Sequence, residues 1–347
     1  MLYSFANAPD GLEPWGSVIN VNGTFYGTTT GGGANNLGTV FTVSTNGVEH
    51  VLYSFAGGTD GATPYGALVK VGSKLYGTTA FGGSNNNGTV YSITTGGAEN
   101  VLYRFLGNGA DGVTPYAPLT NINGTLYGTT DHGGPQGNGT IYSITTSGTY
   151  NSLHDFTGFP SDGAHSYAGF TNVGGVLYGA TIAGGANDMG TIYRYTPGGS
   201  VHVVYSFAGG HDGAMPYACC VKIGKALYDT TAFGGKSFGT IFKITIANGK
   251  EKVLYRFLGG ADGADPYAGL TNLNGTLYGV TQQQGASGNG TMFSIVPGGA
   301  YAKLHDFGAA PDAGTSYATM LDVNGTLYGT SYAGGTAGAG TVFGFTP

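Results

Sequence analysis

The chain has 347 residues, of which 69 are glycine, 9% are charged and 13% are aromatic, and its formal net charge is −6. Its 40% of apolar residues argue against intrinsic disorder. The acidic balance argues against nucleic acid as a partner, and no apolar run reaches the ~18–20 residues of a membrane span. The two cysteines, Cys219 and Cys220, are adjacent and form no disulfide framework.

A repeat of 50 or 51 residues organises the chain, because the motif Leu/Phe-Tyr-Gly-Thr-Thr recurs at these steps with small changes. Its tyrosines are Tyr26, Tyr76, Tyr127, Tyr178, Tyr228, Tyr278 and Tyr328. Seven units cover residues 1–347, which we interpret as a single domain. The units lie near 14–55, 64–105, 115–156, 166–207, 216–257, 266–307, and 316–347 plus 2–5.

The second unit shows the predicted elements in chain order: PYGALVKV, KLYGTTA, GTVYSIT and NVLYRF. Each run is rich in β-branched and aromatic residues and is bounded by Gly, Asn or Asp, which is typical of β-strands. Asn-Gly often joins the first two runs, as at Asn22-Gly23, and favours a two-residue type I′ hairpin. Four antiparallel strands in each of seven units predict an all-β, seven-bladed propeller. A β-solenoid is the alternative, but its coils are usually shorter.

The two ends of the chain divide one unit between them. Residues 2–5 have the LYSF sequence of an outer strand, and the last unit stops after GTVFGF without such a strand. We therefore expect the N-terminal strand to become the outer strand of the last blade and to close the ring, which removes unpaired sheet edges.

The units, for example LYSFAGGTDGATPYGALVKVGSKLYGTTAFGGSNNNGTVYSIT, resemble the Gloeobacter/Verrucomicrobia (GloVer) repeats of bacterial, mostly exported proteins. The resemblance covers all seven units. It implies a propeller-like protein that is extracellular or at the cell surface, and it supplies no catalytic residues. The first residues show neither a basic segment nor a long apolar segment, so we expect no export signal in this sequence. Either the protein is not exported or its signal is missing from this sequence.

Several repeated residues are expected to be structural. The glycine of each Tyr-Gly-Thr-Thr motif should lie where wedge-shaped blades crowd toward the axis. A loop aspartate in each unit should bond to nearby backbone, since no single loop supplies the oxygens of a calcium site. These aspartates are Asp10, Asp60, Asp111, Asp162, Asp212, Asp262 and Asp312. Cys219 and Cys220 replace Ala67 and Leu68 of the second unit, and we expect them to be small core residues.

An aromatic residue follows each loop aspartate by five positions. The seven aromatic residues are Trp15, Tyr65, Tyr116, Tyr167, Tyr217, Tyr267 and Tyr317. Aromatic faces and neutral polar groups suit uncharged sugars. The links from the second to the third strand and from the fourth strand to the next unit are long, and both lie on one face, which we call the long-loop face. We therefore expect a lectin-like propeller that binds a carbohydrate or polysaccharide on this face, at several equivalent pockets between blades. His211, in one of these loops, is a further candidate for ligand binding.

Three side chains that do not repeat support a different hypothesis. His132, His165 and Asp131 lie in long loops of consecutive units, where they could perform acid–base chemistry on a glycan. They indicate a polysaccharide lyase or glycoside hydrolase with one site at the channel mouth, aided by Tyr116 or Tyr167. A structural or protein-docking module without catalysis is the third alternative. No CxxC, HExxH, GxSxG or P-loop motif occurs, so we expect no cofactor and no metal site. We also expect the protein to be a monomer.

The fifth unit departs from the others in charge. Asp229 replaces the motif glycine, and the same unit holds six lysines among the chain's 12 basic residues. These six are Lys222, Lys225, Lys236, Lys243, Lys250 and Lys252. We expect a lysine to pair with Asp229, and a basic docking patch is the alternative interpretation.

Overall fold

The computed structural model describes residues 1–347 and consists almost entirely of β-structure. Seven four-stranded antiparallel sheets form the blades of a propeller, which confirms the predicted fold class. The first strands of adjacent blades contact each other, so the first strand of each unit is innermost and the fourth is outermost. The core lies between neighbouring blades. For example, Phe55 of blade 1 packs edge-on against Tyr91 of blade 2, with 5.1 Å between the ring centroids.

The strands of blades 1 to 6 follow one another in chain order, and blade 7 takes its outer strand from the N-terminus. The innermost strands are Ile19–Val21, Val69–Val71, Thr120–Ile122, Thr171–Val173, Val221–Ile223, Thr271–Leu273 and Leu321–Val323. The second strands are Thr24–Thr29, Lys74–Thr79, Thr125–Thr129, Val176–Thr181, Ala226–Thr231, Thr276–Val280 and Thr326–Ser331. The third strands are Thr39–Ser44, Thr89–Thr94, Thr140–Thr145, Thr191–Tyr195, Thr240–Thr245, Thr291–Ile295 and Thr341–Phe345. The outer strands are Glu49–Ser54, Glu99–Arg104, Tyr150–Asp155, Val201–Ser206, Glu251–Arg256, Tyr301–Asp306 and Tyr3–Ser4.

The long loops contain short strand pairs that the sequence did not indicate. Five blades have a pair of two-residue strands: Gly11–Leu12 with Gly31–Gly32, Gly61–Ala62 with Phe81–Gly82, Gly112–Val113 with His132–Gly133, Gly163–Ala164 with Ala183–Gly184, and Ala313–Gly314 with Ala333–Gly334. Single bridges replace the pair in the other two blades. The helical content is one 3-10 turn, Gly260–Asp262, and no helix has the length and apolar character that crossing a membrane requires.

The predicted hairpin turns are confirmed. Asn22 and Gly23 have φ angles of 52° and 87°, and two consecutive positive φ values are what a type I′ turn requires. The pairs beginning at Asn123, Asn274 and Asn324 have the same geometry.

The N-terminal strand closes the ring as predicted. Tyr3 pairs with Val342, and the Phe5 amide donates to the carbonyl of Gly340 at 3.0 Å. At the same boundary the Thr330 hydroxyl donates to the carbonyl of Gly16 at 2.9 Å. Blade 7 is therefore completed by the first residues of the chain.

The motif glycine has a different role from the one expected. On the neighbouring third strand, Phe41 is paired directly with Gly27, and Tyr91 is paired with Gly77 in the next blade. A Cβ atom added to Gly77 would lie 2.6 Å from the Tyr91 hydroxyl. The glycine is required because an aromatic ring of the same blade covers it, and not because the blades crowd at the axis.

The loop aspartates order the blade connections as expected. The Asp60 carboxylate accepts hydrogen bonds from the amides of Ala56 and Gly61 and from the hydroxyl of Tyr53. Equivalent bonds recur in the other units, with His154 or His305 in place of the tyrosine in two of them. The aspartate thus anchors the outer strand of one blade to the loop that starts the next.

Three glutamates begin outer strands in partly buried positions: Glu49, Glu99 and Glu251. Burial raises the pKa of each carboxyl from 4.5 to about 7, and repulsion from a loop aspartate, Asp60 in the case of Glu99, adds to the shift. One carboxyl oxygen of each glutamate has no hydrogen-bond partner. The folded state therefore retains protons that the unfolded chain releases at lower pH.

We expect the stability of the protein to fall as pH rises from about 4.5 to about 7, because deprotonation then favours the unfolded chain. A variant with Glu49→Gln, Glu99→Gln and Glu251→Gln should show a clearly smaller slope of stability against pH. Thermal unfolding at several pH values between 4.5 and 8 measures this slope. Asp322→Asn, which introduces the residue found in other units at an exposed position of the strand Leu321–Val323, should keep the wild-type slope. An unchanged slope in the triple variant would contradict this account.

Candidate functional site

The seven aromatic residues singled out in the sequence form one closed circle around the propeller axis. Trp15 stacks on Tyr317 with 3.6 Å between ring centroids, and Tyr116 stacks on Tyr167 at 4.8 Å. The other neighbouring pairs meet edge-on or tilted, at 4.5 to 5.6 Å. We call this set the aromatic ring. The structure therefore brings all seven residues to one place, and the expected separate pockets between blades are replaced by one shared site.

The aromatic ring borders an axial cavity of about 550 Å³. Six of the seven aromatic residues are followed by residues that form the wall below them, most of them small, such as Gly16 and Ser17 or Ala318 and Thr319. Each aromatic residue precedes its wall residues in the chain, so the ring lies at the end of the cavity nearest the long loops. The hydroxyls of Ser17, Thr120, Thr171 and Thr319 add polar groups to the wall, and no charged side chain lines it.

The tyrosine hydroxyls of the aromatic ring remain protonated at neutral pH. Burial raises the pKa of Tyr116 to about 12. Burial also raises the pKa of Tyr167, and the nearby Asp131 carboxylate adds to that shift. The hydroxyls can therefore act as neutral donors and acceptors for a bound polar ligand.

Asp131, His132 and His165 lie together at the boundary between blades 3 and 4. The carboxylate of Asp131 contacts the Nδ1 atom of His132 at 2.6 Å and that of His165 at 3.0 Å, and it accepts a hydrogen bond from the Tyr167 hydroxyl at 3.2 Å. The Asp131 side chain is 3% exposed, whereas those of His132 and His165 are 55% and 30% exposed. The hydrogen bond with Asp131 raises the pKa of His165, although partial burial opposes this shift.

The backbone explains why these residues meet. His165 has a φ of 60°, and its amide donates to the carbonyl of Asn138 in the preceding blade at 2.9 Å. Its carbonyl accepts the amide of Ile182 at 3.0 Å. The six equivalent residues also have positive φ: Glu13, Thr63, Thr114, Met215, Asp265 and Thr315. Threonine is strained in this region, so the bonds between blades impose the conformation and fix the side chain beside the preceding blade.

Two other residues are not placed as expected. His211 is exposed in its loop, does not line the cavity, and contributes only its carbonyl to a bond from Arg256. Of the two cysteines, Cys220 is buried in the core, as expected, but Cys219 is partly exposed and lines the cavity.

The charge pair expected at Asp229 is absent. The side chain is fully buried and neither carboxyl oxygen has a hydrogen-bond partner. Burial raises the pKa of Asp229 well above its ordinary value, and the Cys219 thiol adds to this effect. None of the six lysines of this unit forms an ion pair with it.

The small residues that form the cavity wall were missed as site residues. Their signal is present in the sequence, because two small residues follow each aromatic residue of the ring in nearly every unit. A repeat that places an aromatic side chain and then small side chains just before the innermost strand leaves space at the axis.

The fold and this geometry define a seven-bladed propeller with one aromatic-lined axial cavity. The chain belongs to the Gloeobacter/Verrucomicrobia repeat family, whose model matches residues 1–181 and 158–343. The resemblance noted in the sequence is thus confirmed. No curated protein sequence matches the chain.

Solved structures of diverse proteins share the fold. The lectin BP39L from Burkholderia pseudomallei has 10% identity and a TM-score of 0.68, with 99% of this chain and 96% of the lectin covered. An oligogalacturonate lyase in complex with manganese has 12% identity and a TM-score of 0.58, with 93% and 86% covered. A puromycin-hydrolyzing peptidase of Mycobacterium tuberculosis has 12% identity and a TM-score of 0.57, with 98% and 56% covered. At these identities the likeness concerns the fold alone.

Proposed function

We propose that this protein binds a carbohydrate in the axial cavity, at one site per chain. The observation that carries the proposal is the closed circle of seven aromatic residues around a single cavity with no charged lining. A volume of about 550 Å³ lies within the range of roughly 300–1,000 Å³ typical of small-molecule sites.

The chemistry of the wall supports a neutral sugar over a charged ligand. Aromatic rings pack against the apolar faces of sugars, and protonated tyrosine hydroxyls offer hydrogen bonds to sugar hydroxyls. The hydroxyls of Ser17 and Thr171 donate to backbone carbonyls and can accept from a sugar, and the Thr319 hydroxyl, which accepts the Gly269 amide, can donate to one. Because the rings contact each other around the axis, one ligand would contact several blades. This replaces the earlier expectation of several equivalent sites.

Sugar polymers are abundant outside cells, and the resemblance to the repeat family implies an exported protein. We therefore propose that the protein acts outside the cell or at its surface, as a monomer whose ring is complete within one chain. Fractionation of the natural host and light scattering of the purified protein test these two points.

We expect Tyr116→Ala to weaken binding of a neutral oligosaccharide by about tenfold or more, which corresponds to about 1.4 kcal/mol. The ring of Tyr116 contacts Tyr65 and Tyr167, so its removal interrupts the aromatic surface. A panel of polysaccharides and oligosaccharides identifies the ligand, and calorimetry measures the affinity and the stoichiometry. Tyr116→Phe, which keeps the ring and loses only the hydroxyl, is the matched control and should bind within a few-fold of wild type.

Two results would contradict the proposal. One is the absence of binding across the panel by a correctly folded protein, which would favour the structural or protein-docking module. The other is saturable binding that Tyr116→Ala and Trp15→Ala both leave intact.

A glycan-cleaving activity is a second candidate function, favoured by the contact between Asp131 and two histidines beside Tyr167. In that mechanism a histidine held by Asp131 would transfer protons to or from a glycan bound at the cavity mouth.

If the protein cleaves glycans, His165→Ala should lower turnover by about 10²-fold or more. Product release from the same polysaccharide panel measures this activity, and His211→Ala serves as the control for an exposed histidine outside the site. Retention of full turnover by His165→Ala and by His132→Ala would end the enzyme hypothesis.

A further inference from the structure

Residues that can ligate a metal are concentrated at one of the seven blade boundaries. At the other six, the positions equivalent to Asp131 and His132 hold no histidine, cysteine or carboxylate: Thr30 and Gly31, Ala80 and Phe81, Ile182 and Ala183, Ala232 and Phe233, Gln282 and Gln283, and Tyr332 and Ala333. The position equivalent to His165 is a carboxylate in two units and never another histidine. Three ligand-type residues therefore coincide once.

These three side chains converge in space. One ligand atom from each of Asp131, His132 and His165 lies within 4.8 Å of the others. The sequence predicted no metal site because the residues are not in a known ligand spacing. His165 is 34 residues from Asp131, and only the contact between blades 3 and 4 joins them.

We propose that Asp131, His132 and His165 bind a divalent transition-metal ion at the loop end of the axial cavity. Two imidazole nitrogens and a carboxylate oxygen are a donor set that suits Zn²⁺ and its first-row neighbours, whereas an all-oxygen site would favour Ca²⁺ or Mg²⁺.

The geometry needs only a small adjustment to accept the ion. The nitrogen–oxygen distances are 2.6 and 3.0 Å, while bonds of about 2.0–2.2 Å to a tetrahedral zinc place its ligand atoms about 3.3 Å apart. His132 is the most exposed of the three residues and can move outward. His132 contacts Oδ2 of Asp131 and His165 contacts Oδ1, so the ion would replace these two contacts and lie between the two Nδ1 atoms and the carboxylate.

The surroundings leave room for a fourth ligand. Three protein ligands with one open position are typical of zinc sites that bind water or substrate. The Tyr167 hydroxyl joins the Asp131 carboxylate to the aromatic ring, so an open position would lie beside the mouth of the cavity. A hydroxyl or carboxylate of a ligand in the cavity could reach it. Metal binding itself does not depend on the proposed carbohydrate function.

The test is calorimetry with zinc chloride on tag-free, chelator-treated protein, without any sugar. We expect one ion per chain. His132→Ala and His165→Ala should each weaken binding by more than about tenfold, since even changes outside the ligand set cost 10–100-fold. The exposed His211→Ala is the matched control and should bind as wild type does.

Cobalt substitution gives a second readout, because a site with nitrogen ligands and low coordination number changes the visible spectrum of Co²⁺. His132 is exposed, so His132→Ala should fold normally even if Asp131→Asn does not, and thermal unfolding checks this. Absence of zinc binding by the wild-type protein, or wild-type affinity in the double variant His132→Ala/His165→Ala, would overturn the proposal. Zinc binding without sugar binding would keep it and reject only the carbohydrate function.

Discussion

Replacing Phe5 by alanine is expected to destabilise the propeller by about 3–5 kcal/mol. Phe5 is fully buried and packs edge-on against Phe41, with 5.0 Å between ring centroids. It shares one hydrophobic cluster with Val342 of blade 7 and Val43 of blade 1. The side chain thus joins the strand that completes the last blade to the first blade of the ring. Chemical denaturation monitored by circular dichroism measures the loss.

Leu106→Ala is the control, because this large apolar side chain is 47% exposed. It should change stability by less than about 0.5 kcal/mol. Deletion of residues 1–5 should be more damaging than Phe5→Ala, since it also removes the pairing with the strand Thr341–Phe345. A deletion variant as stable as wild type would show that the ring does not depend on this strand.

Restoring the common sequence at Asp229 is expected to stabilise the protein. The double variant Asp229→Gly/Cys220→Leu should gain about 2–4 kcal/mol at pH 8, because a buried carboxyl without a partner is removed. In the second unit, a Cβ at Gly77 would lie 3.0 Å from Leu68. Cys220, at the position of Leu68, is smaller, so the fifth blade has space for Asp229. The single variant Asp229→Gly should therefore gain less than the double variant.

The sign of the pH dependence follows from the raised pKa of Asp229. The folded state holds the proton more tightly than the unfolded chain, so wild-type stability falls as pH rises above the ordinary aspartate value. The gain of the double variant should accordingly be larger at pH 8 than at pH 5. Asp229→Asn, which keeps the shape and removes the charge, should reproduce the pH-dependent part of the gain in stability. An equal gain at both pH values would mean that Asp229 is not the source of the pH dependence.

The fold could be predicted from the sequence because one local sequence pattern is repeated seven times. The Asn22-Gly23 turn, the strand runs and the divided last unit each agree with the structure, and they are decided by neighbours in sequence. The reason for Gly27 was less accessible, since the ring of Phe41 reaches it only through the register between two strands. The hydroxyl pair Thr29–Thr39, at 2.7 Å, was missed for the same reason.

The candidate site was predicted residue by residue but not as an arrangement. Comparison of the seven units separates the unusual His132 and His165 from their repeated surroundings, and the structure places both against Asp131. The comparison does not show where equivalent positions lie around the axis. Trp15 and Tyr317 are 302 residues apart and yet stack directly. This contact forms only when the ring closes, and no single unit contains it. The sequence of one unit therefore suggested separate pockets instead of one shared cavity.

Trp15 allows the most direct test of the axial site, because it is the chain's one tryptophan and belongs to the aromatic ring. Titration of the oligosaccharide that the panel identifies should change the tryptophan emission in a saturable way, with one ligand per chain and with the affinity that calorimetry measures. Binding that is evident in calorimetry but leaves the emission of Trp15 unchanged would contradict a carbohydrate site in the axial cavity.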